Sequence, residues 1–216
     1  MSLEYFIGAA SVAAPAIAAT AVITSGVIRR RAAIDPLTGI PGRAGLPVLE
    51  RLVRRGLRRG ERTAVMVLDL KGFKQVNDQY GHDAGDMVIR AVARSLVRCD
   101  QVSGAVRLGG DEFAAVVTCP PGAGWESLLT AINVALAANG VQVSGSATVY
   151  PSATIGAAIA ELGDTLAELL SGADYAMYKA RLLGEHVDVV TGGMRVLDRG
   201  GIRPRDVRPA RPGVAV

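Results

Sequence analysis

Residues 106–117 read VRLGGDEFAAVV. Two apolar runs, residues 105–108 and 112–118, flank Gly109-Gly110, and two glycines between apolar strands predict a tight β-hairpin. Glycine strips such a turn of side-chain bulk, so the phosphates or sugar of a ligand can approach the backbone closely. Two carboxylates, Asp111 and Glu112, leave this turn. Upstream, residues 64–70 (AVMVLDL) form a short, nearly continuous apolar run, the pattern of a buried strand. The acid in that run, Asp69, is costly to bury unless it is paired or binds a cation. If strand and hairpin are sheet neighbours, Asp69 and Asp111 converge at one edge. Two carboxylates and a backbone carbonyl suit Mg²⁺, which keeps positions free for water and substrate phosphates. The plainer alternative is that Asp111 and Glu112 only decorate a turn.

Between strand and hairpin lies LKGFKQVNDQYGHDAGDMV, in which Asn77, Asp78, His82, Asp83 and Asp86 crowd a connection before a helix over 83–97. A carboxylate accepting two donors beside an amide fits the Watson–Crick edge of guanine. Helix capping by Asp83 or Asp86 is the competing reading. Further helices are expected over 44–59, with five arginines opposite its leucines, over 125–138, and over 164–183, the last capped by Asp164. Strands are expected over 141–149 and 153–160, with an edge strand over 187–190. The turn-rich 34–43 (IDPLTGIPGR) leads into the domain. The pattern predicts an α/β (α+β) class, a mixed sheet covered by helices.

Outside this domain, residues 5–28 carry no charge and are followed by Arg29, Arg30 and Arg31. That is the length of a membrane span, with the positive side, and hence the domain, in the cytoplasm. Residues 1–31 are therefore expected to be a single-pass membrane anchor. A secretion signal would want its positive charge before the apolar stretch. The segment 191–216 is rich in Arg, Pro and Gly and reads as a disordered tail; its six Arg and two Asp make up the whole net charge of +4. Residues 1–190 are therefore neutral in sum, so no nucleic-acid partner is expected. Cys99 and Cys119, with no CxxC spacing, exclude a disulfide framework and a zinc site.

Over residues 32–190 the motifs resemble the GGDEF family of diguanylate cyclases. DPLTGIPGR is similar to DxLTGLxNR, DLKGFKQVNDQYGHDAGD to DxDxFKxxNDxxGHxxGD, and ADYAMYKARLLG to ADxALYxAKxxG, while RLGGDEF carries the signature itself. The resemblance implies a palm-like nucleotidyl cyclase fold and a homodimer that joins two GTP, one on each subunit, into cyclic di-GMP and pyrophosphate. It implies that Asp69 and Asp111 hold Mg²⁺ (or Mn²⁺) with the Leu70 carbonyl, and that Asn77 and Asp86 read guanine. Gly109 and Gly110 would let the nucleotide lie on the hairpin. Glu112 would serve the metal or the attacking hydroxyl, and Lys74 and Arg181 would neutralise phosphates. Four departures stand out: Lys71 for the second Asp of DxDxFK, Gly42 for the Asn of the first motif, Arg181 for a Lys, and Glu185 where the family commonly has Arg. They leave room for an alternative, a catalytically weak or inactive GGDEF domain that binds GTP or cyclic di-GMP and signals through contacts. Asp100 and Ser103 stand where the family carries the RxxD of its product-inhibition site, so that feedback is expected to be missing.

Overall fold

The computed structural model describes residues 33–138 and 140–192. The expected anchor over 1–31 lies outside them, as does the tail apart from Thr191 and Gly192. Among the described residues no helix is long and apolar enough to cross a membrane. The elements run α1 (Leu46–Arg58), β1 (Arg62–Leu70), α2 (Phe73–Tyr80), α3 (His82–Arg98), β2 (Val102–Gly109), β3 (Glu112–Cys119), α4 (Trp125–Ala137), β4 (Val141–Ser144), β5 (Ala147–Val149), β6 (Ala153–Ile159), α5 (Leu166–Leu183) and β7 (Val187–Thr191).

The sheet has the order β2-β3-β1-β6-β7. Only the β6–β7 pair is parallel; β1 lies between two antiparallel partners, with Asp69 opposite Glu112 on one side and Thr154 on the other. A strand buried on both faces needs apolar residues at every position, and Ala64 to Leu68 are all buried. Alternation assigns them to two cores. Ala64, Met66, Leu68 and Leu70 pack with Phe113 and Ile155 under α3 and α4. Val65 and Val67 pack with Val106 and Val116 under α1 and α5. Each fully buried Val, Leu or Phe contributes about 1.5–3 kcal/mol of transfer free energy. Across the second core α5 lies so close on β6 that a Cβ at Gly156 would meet the backbone of Ala173 and Met177.

Three expectations need correction. The connection carrying Asn77 is itself a helix, α2, of 8 residues; it is too short to show a period, and left-handed glycines, Gly72 and Gly81, bound it. The single strand expected over 141–149 is a small separate hairpin, β4–β5, because Gly145 adopts φ +43° and turns the chain, held by a bond from Gln142 Nε2 to the Gly145 carbonyl. The cap of α5 is Thr165, not Asp164: Thr165 Oγ1 accepts from the Glu168 N–H and the Glu168 carboxylate accepts from the Thr165 N–H, a reciprocal capping box. Asp164 accepts instead from the N–H of Glu161.

Candidate active site

The β2–β3 turn opens at the end of the sheet where β1 finishes. Gly109 (φ +144°) and Gly110 (φ +53°) lie in backbone regions that side chains disfavour, and nothing stands within 4 Å of where either Cβ would be. The turn is open and carries no side-chain bulk at either glycine. The Leu70 N–H donates to the Asp111 carbonyl at 3.4 Å, which ties the end of β1 to the turn. The pairing of Asp69 with Glu112 across the ladder and the exit of Asp111 from the turn gather three carboxylates.

Their electrostatics show the crowding. Burial, then the neighbouring charges of Asp111 and Glu112, push the Asp69 carboxyl up to about 6, although Arg181 opposes the rise. Burial and the Glu112 charge likewise raise Asp111. Arg181, on the last turn of α5, donates from Nη2 to Asp69 Oδ2 at 2.6 Å. Its expected role was phosphate neutralisation; here it neutralises a carboxylate. Among the described residues no three His, Cys, Asp or Glu side chains are arranged as a ready metal cage. Two hard oxygen donors in a charge-strained site still fit Mg²⁺, which needs only one or two protein carboxylates when phosphates supply the rest.

The proposed base readers lie on the other side of the β1 end. Asn77 Oδ1 is buried with no hydrogen-bond partner, pressed against Gly85 beside Phe73. An unpartnered buried amide oxygen is costly. Asp86, on α3, faces Arg90 one turn away at 3.7 Å. Asp83 sits in the first turn of α3, where an acid complements the helix dipole. Lys74 does not join the carboxylates: its Nζ pairs with Asp78 at 2.6 Å along exposed α2.

Sequence reasoning missed the residue that holds the turn. Arg107 donates from Nε and Nη2 to the Gly110 carbonyl at 3.0 and 2.8 Å and from Nη1 to both oxygens of Asp35 at 3.1 and 3.2 Å. Asp35 also takes the Thr38 N–H and hydroxyl. Burial pushes its carboxyl up, but the bonds from Thr38 and Arg107 outweigh this and hold it below the ordinary 3.8. The available signal was Asp35 three residues before Thr38, the spacing of a side-chain-closed turn. Lys71 and His186 also meet, Nζ to Nδ1, at 3.0 Å. Burial and the nearby Arg181 lower the Lys71 ammonium below its usual range.

Known proteins resemble this chain in sequence and fold. The sequence profile of "Diguanylate cyclase, GGDEF domain" matches residues 32–186. Diguanylate cyclase TpbB of Pseudomonas aeruginosa is 40% identical over 151 residues, 68% of this chain and 34% of the relative. Diguanylate cyclase DgcP of the same species is 36% identical over 163 residues, 72% of this chain and 23% of the relative. The chain thus spans about a third of the first relative's length and about a quarter of the second's. The GGDEF domain of DgcB from Caulobacter crescentus, solved in complex with c-di-GMP, superposes with a TM-score of 0.62 at 28% identity, covering 73% of this chain and 93% of that one. With its profile matched over most of its length and its five-stranded sheet shared with solved members, the chain belongs to the diguanylate cyclase GGDEF-domain family.

Proposed function

We propose that the protein is a diguanylate cyclase that condenses two GTP into cyclic di-GMP, working as a homodimer with one GTP on each subunit. The observation that carries the reading is the convergence of Asp69, Asp111 and Glu112 beside the side-chain-free Gly109-Gly110 turn. The 3′-hydroxyl of each ribose attacks the α-phosphorus of the other GTP. A P–O bond forms there, the bond to the β-phosphate oxygen breaks, pyrophosphate leaves and the hydroxyl proton is lost. Asp69 and Asp111, with the Leu70 carbonyl, would hold Mg²⁺ or Mn²⁺, which supplies charge neutralisation for the leaving pyrophosphate and the attacking oxygen.

The remaining roles fall to the chain's own groups. The Asn77 amide, whose Oδ1 has no partner, and the Asp86 carboxylate on the α2–α3 side would receive the guanine edge. Gly109 and Gly110 let the triphosphate lie against the turn. Glu112 adds negative charge next to Asp69, which favours loss of the 3′-hydroxyl proton. Arg181 leaves Asp69 for the phosphates once the carboxylate has another cation. Lys74 reaches the phosphates only by leaving Asp78. Residues 1–31 would anchor the chain in a membrane with the domain on the cytoplasmic side, where GTP is found. A weak or inactive nucleotide-binding domain is the second reading, favoured by Arg181 being occupied by Asp69. The test is to incubate the purified full-length chain with GTP and Mg²⁺ and separate products by chromatography. Cyclic di-GMP that disappears with Asp111→Ala supports the cyclase; GTP binding without product supports the second reading.

A further inference from the structure

The outward side of α1 differs in charge from the rest of the domain. Residues 43–62 carry seven arginines and two acids, while the remainder of 32–190 carries eight cations and fifteen acids. The inward positions of α1, Leu49, Val53 and Gly56, are buried, which leaves Arg51, Arg54, Arg55, Arg58 and Arg59 exposed along its other side. Glu50 takes Arg54 at 2.7 Å and Glu61 takes Arg59 at 3.7 Å; among the described residues no acid pairs with Arg51, Arg55 or Arg58. Like charges three and four residues apart on one helix repel one another, and an anionic surface laid against them removes that cost. The place of α1 on the chain decides which surface this is. The Ala33 carbonyl accepts from the Gly42 N–H at 2.6 Å, and a Cβ on Gly45 would stand 3.6 Å from that carbonyl oxygen. The start of α1 is therefore fixed beside residue 33. Residue 33 follows Arg31 by two positions, about 7 Å of extended chain, within the screening length of about 8 Å at physiological salt.

We infer that the arginine face of α1 docks on the anionic lipid headgroups of the membrane that holds residues 1–31. The inference rests on the anchor reading of those residues and goes beyond it. A basic residue held near an anionic leaflet adds about fivefold to surface affinity, and α1 offers three that need leave no acid to reach it. The start of α1 also lies beside the β2–β3 turn, because Arg43 donates from Nε to the Leu108 carbonyl at 3.1 Å. After a three-residue connection β1 runs back toward that turn, where the Leu70 N–H meets the Asp111 carbonyl. With α1 laid along the leaflet, the sheet lies on its side and the turn opens along the membrane rather than away from it. Two copies held in one leaflet then present their turns to each other.

The test uses Trp125, the chain's one tryptophan, whose ring lies 5.3 Å from the guanidinium of Arg62 just past the end of α1. The full-length chain is reconstituted in vesicles of phosphatidylcholine, or of about three parts phosphatidylcholine to one of phosphatidylserine, each carrying a dansyl-labelled lipid. Energy transfer from Trp125 to dansyl is read, and flotation reports insertion. Transfer should be higher with phosphatidylserine and should lose that gain in about 1 M NaCl, where the screening length is about 3 Å. Arg51→Gln, Arg55→Gln and Arg58→Gln together should lower the docked-to-free ratio about a hundredfold and abolish the gain; Arg51→Lys, Arg55→Lys and Arg58→Lys together should keep it. Wild type that floats with both vesicles and shows equal transfer in them overturns the docking and leaves the anchor standing. Wild type that floats only with phosphatidylserine, and no longer does so with the three glutamines, upholds the docking face and rejects the anchor. Wild type left in solution by both vesicles overturns both. Salt-sensitive binding of a DNA duplex without a phosphatidylserine gain assigns the face to nucleic acid and overturns the proposal.

Discussion

Asp111 carries charge where the backbone has just left two glycines, and its burial and the charge of Glu112 already raise its carboxyl. Removing that charge relieves repulsion while deleting a cation ligand. Asp111→Asn should therefore reduce cyclic di-GMP formation by at least about 10²-fold while leaving the melting temperature equal or higher, as read by product chromatography and a thermal scan. Asp35 runs the other way. Its folded value lies below 3.8, so it contributes stability above pH 3.8 that is lost as pH falls through the depressed value. Urea midpoints between pH 3 and 7 should fall more steeply at the acid end for wild type than for Asp35→Asn, and the variant should be weaker at pH 7 by about 1–3 kcal/mol. Equal acid limbs would show that Asp35 does not draw on Arg107. Asp69, Asp111 and the glycines were legible because an acid in an apolar run and paired glycines in a turn are each costly without a reason. Arg107 was not, since nothing in an arginine on a strand announces a carbonyl three residues on and a carboxylate 72 positions earlier.

At the scale of elements, α2 and α3 behave as one device. Gly81 separates them, and Gly85 lets α3 come against Asn77. A methyl at Gly85 would press on the Asn77 amide and on Phe73. Gly85→Ala should displace the amide and raise the KM for GTP about tenfold, at a stability cost of about 1–3 kcal/mol; an unchanged KM would remove Asn77 from base recognition. The strands and the long helices α1, α3 and α5 were readable from their apolar periods. The failures cluster where local chemistry outranks period: α2 has one exposed and one only partly buried side over barely two turns, β4–β5 is divided by a single left-handed glycine, and at the start of α5 two adjacent polar residues compete for the cap. There Thr165 wins because Glu168 stands three residues on and closes the box.

For the molecule as a whole, the proposed condensation of two GTP needs two sites face to face, so turnover should depend on association. Specific activity should fall on dilution toward second-order behaviour in protein, measured as cyclic di-GMP per milligram over a hundredfold concentration series; activity independent of concentration would argue against a dimer that forms from free subunits. Asp100 and Ser103 leave no Arg and Asp pair ahead of the hairpin, so micromolar cyclic di-GMP should not inhibit except in competition with GTP, a distinction read from inhibition kinetics. Arg181 adds a property that no single site has. Its guanidinium can satisfy Asp69 or a phosphate, but one grip excludes the other. Occupation of Asp69 by a cation and of Arg181 by a triphosphate must then strengthen each other by the same factor, whichever comes first. Metal alone, or nucleotide alone, meets a latch that is already shut, and the resting protein carries its own counter-ion until both arrive.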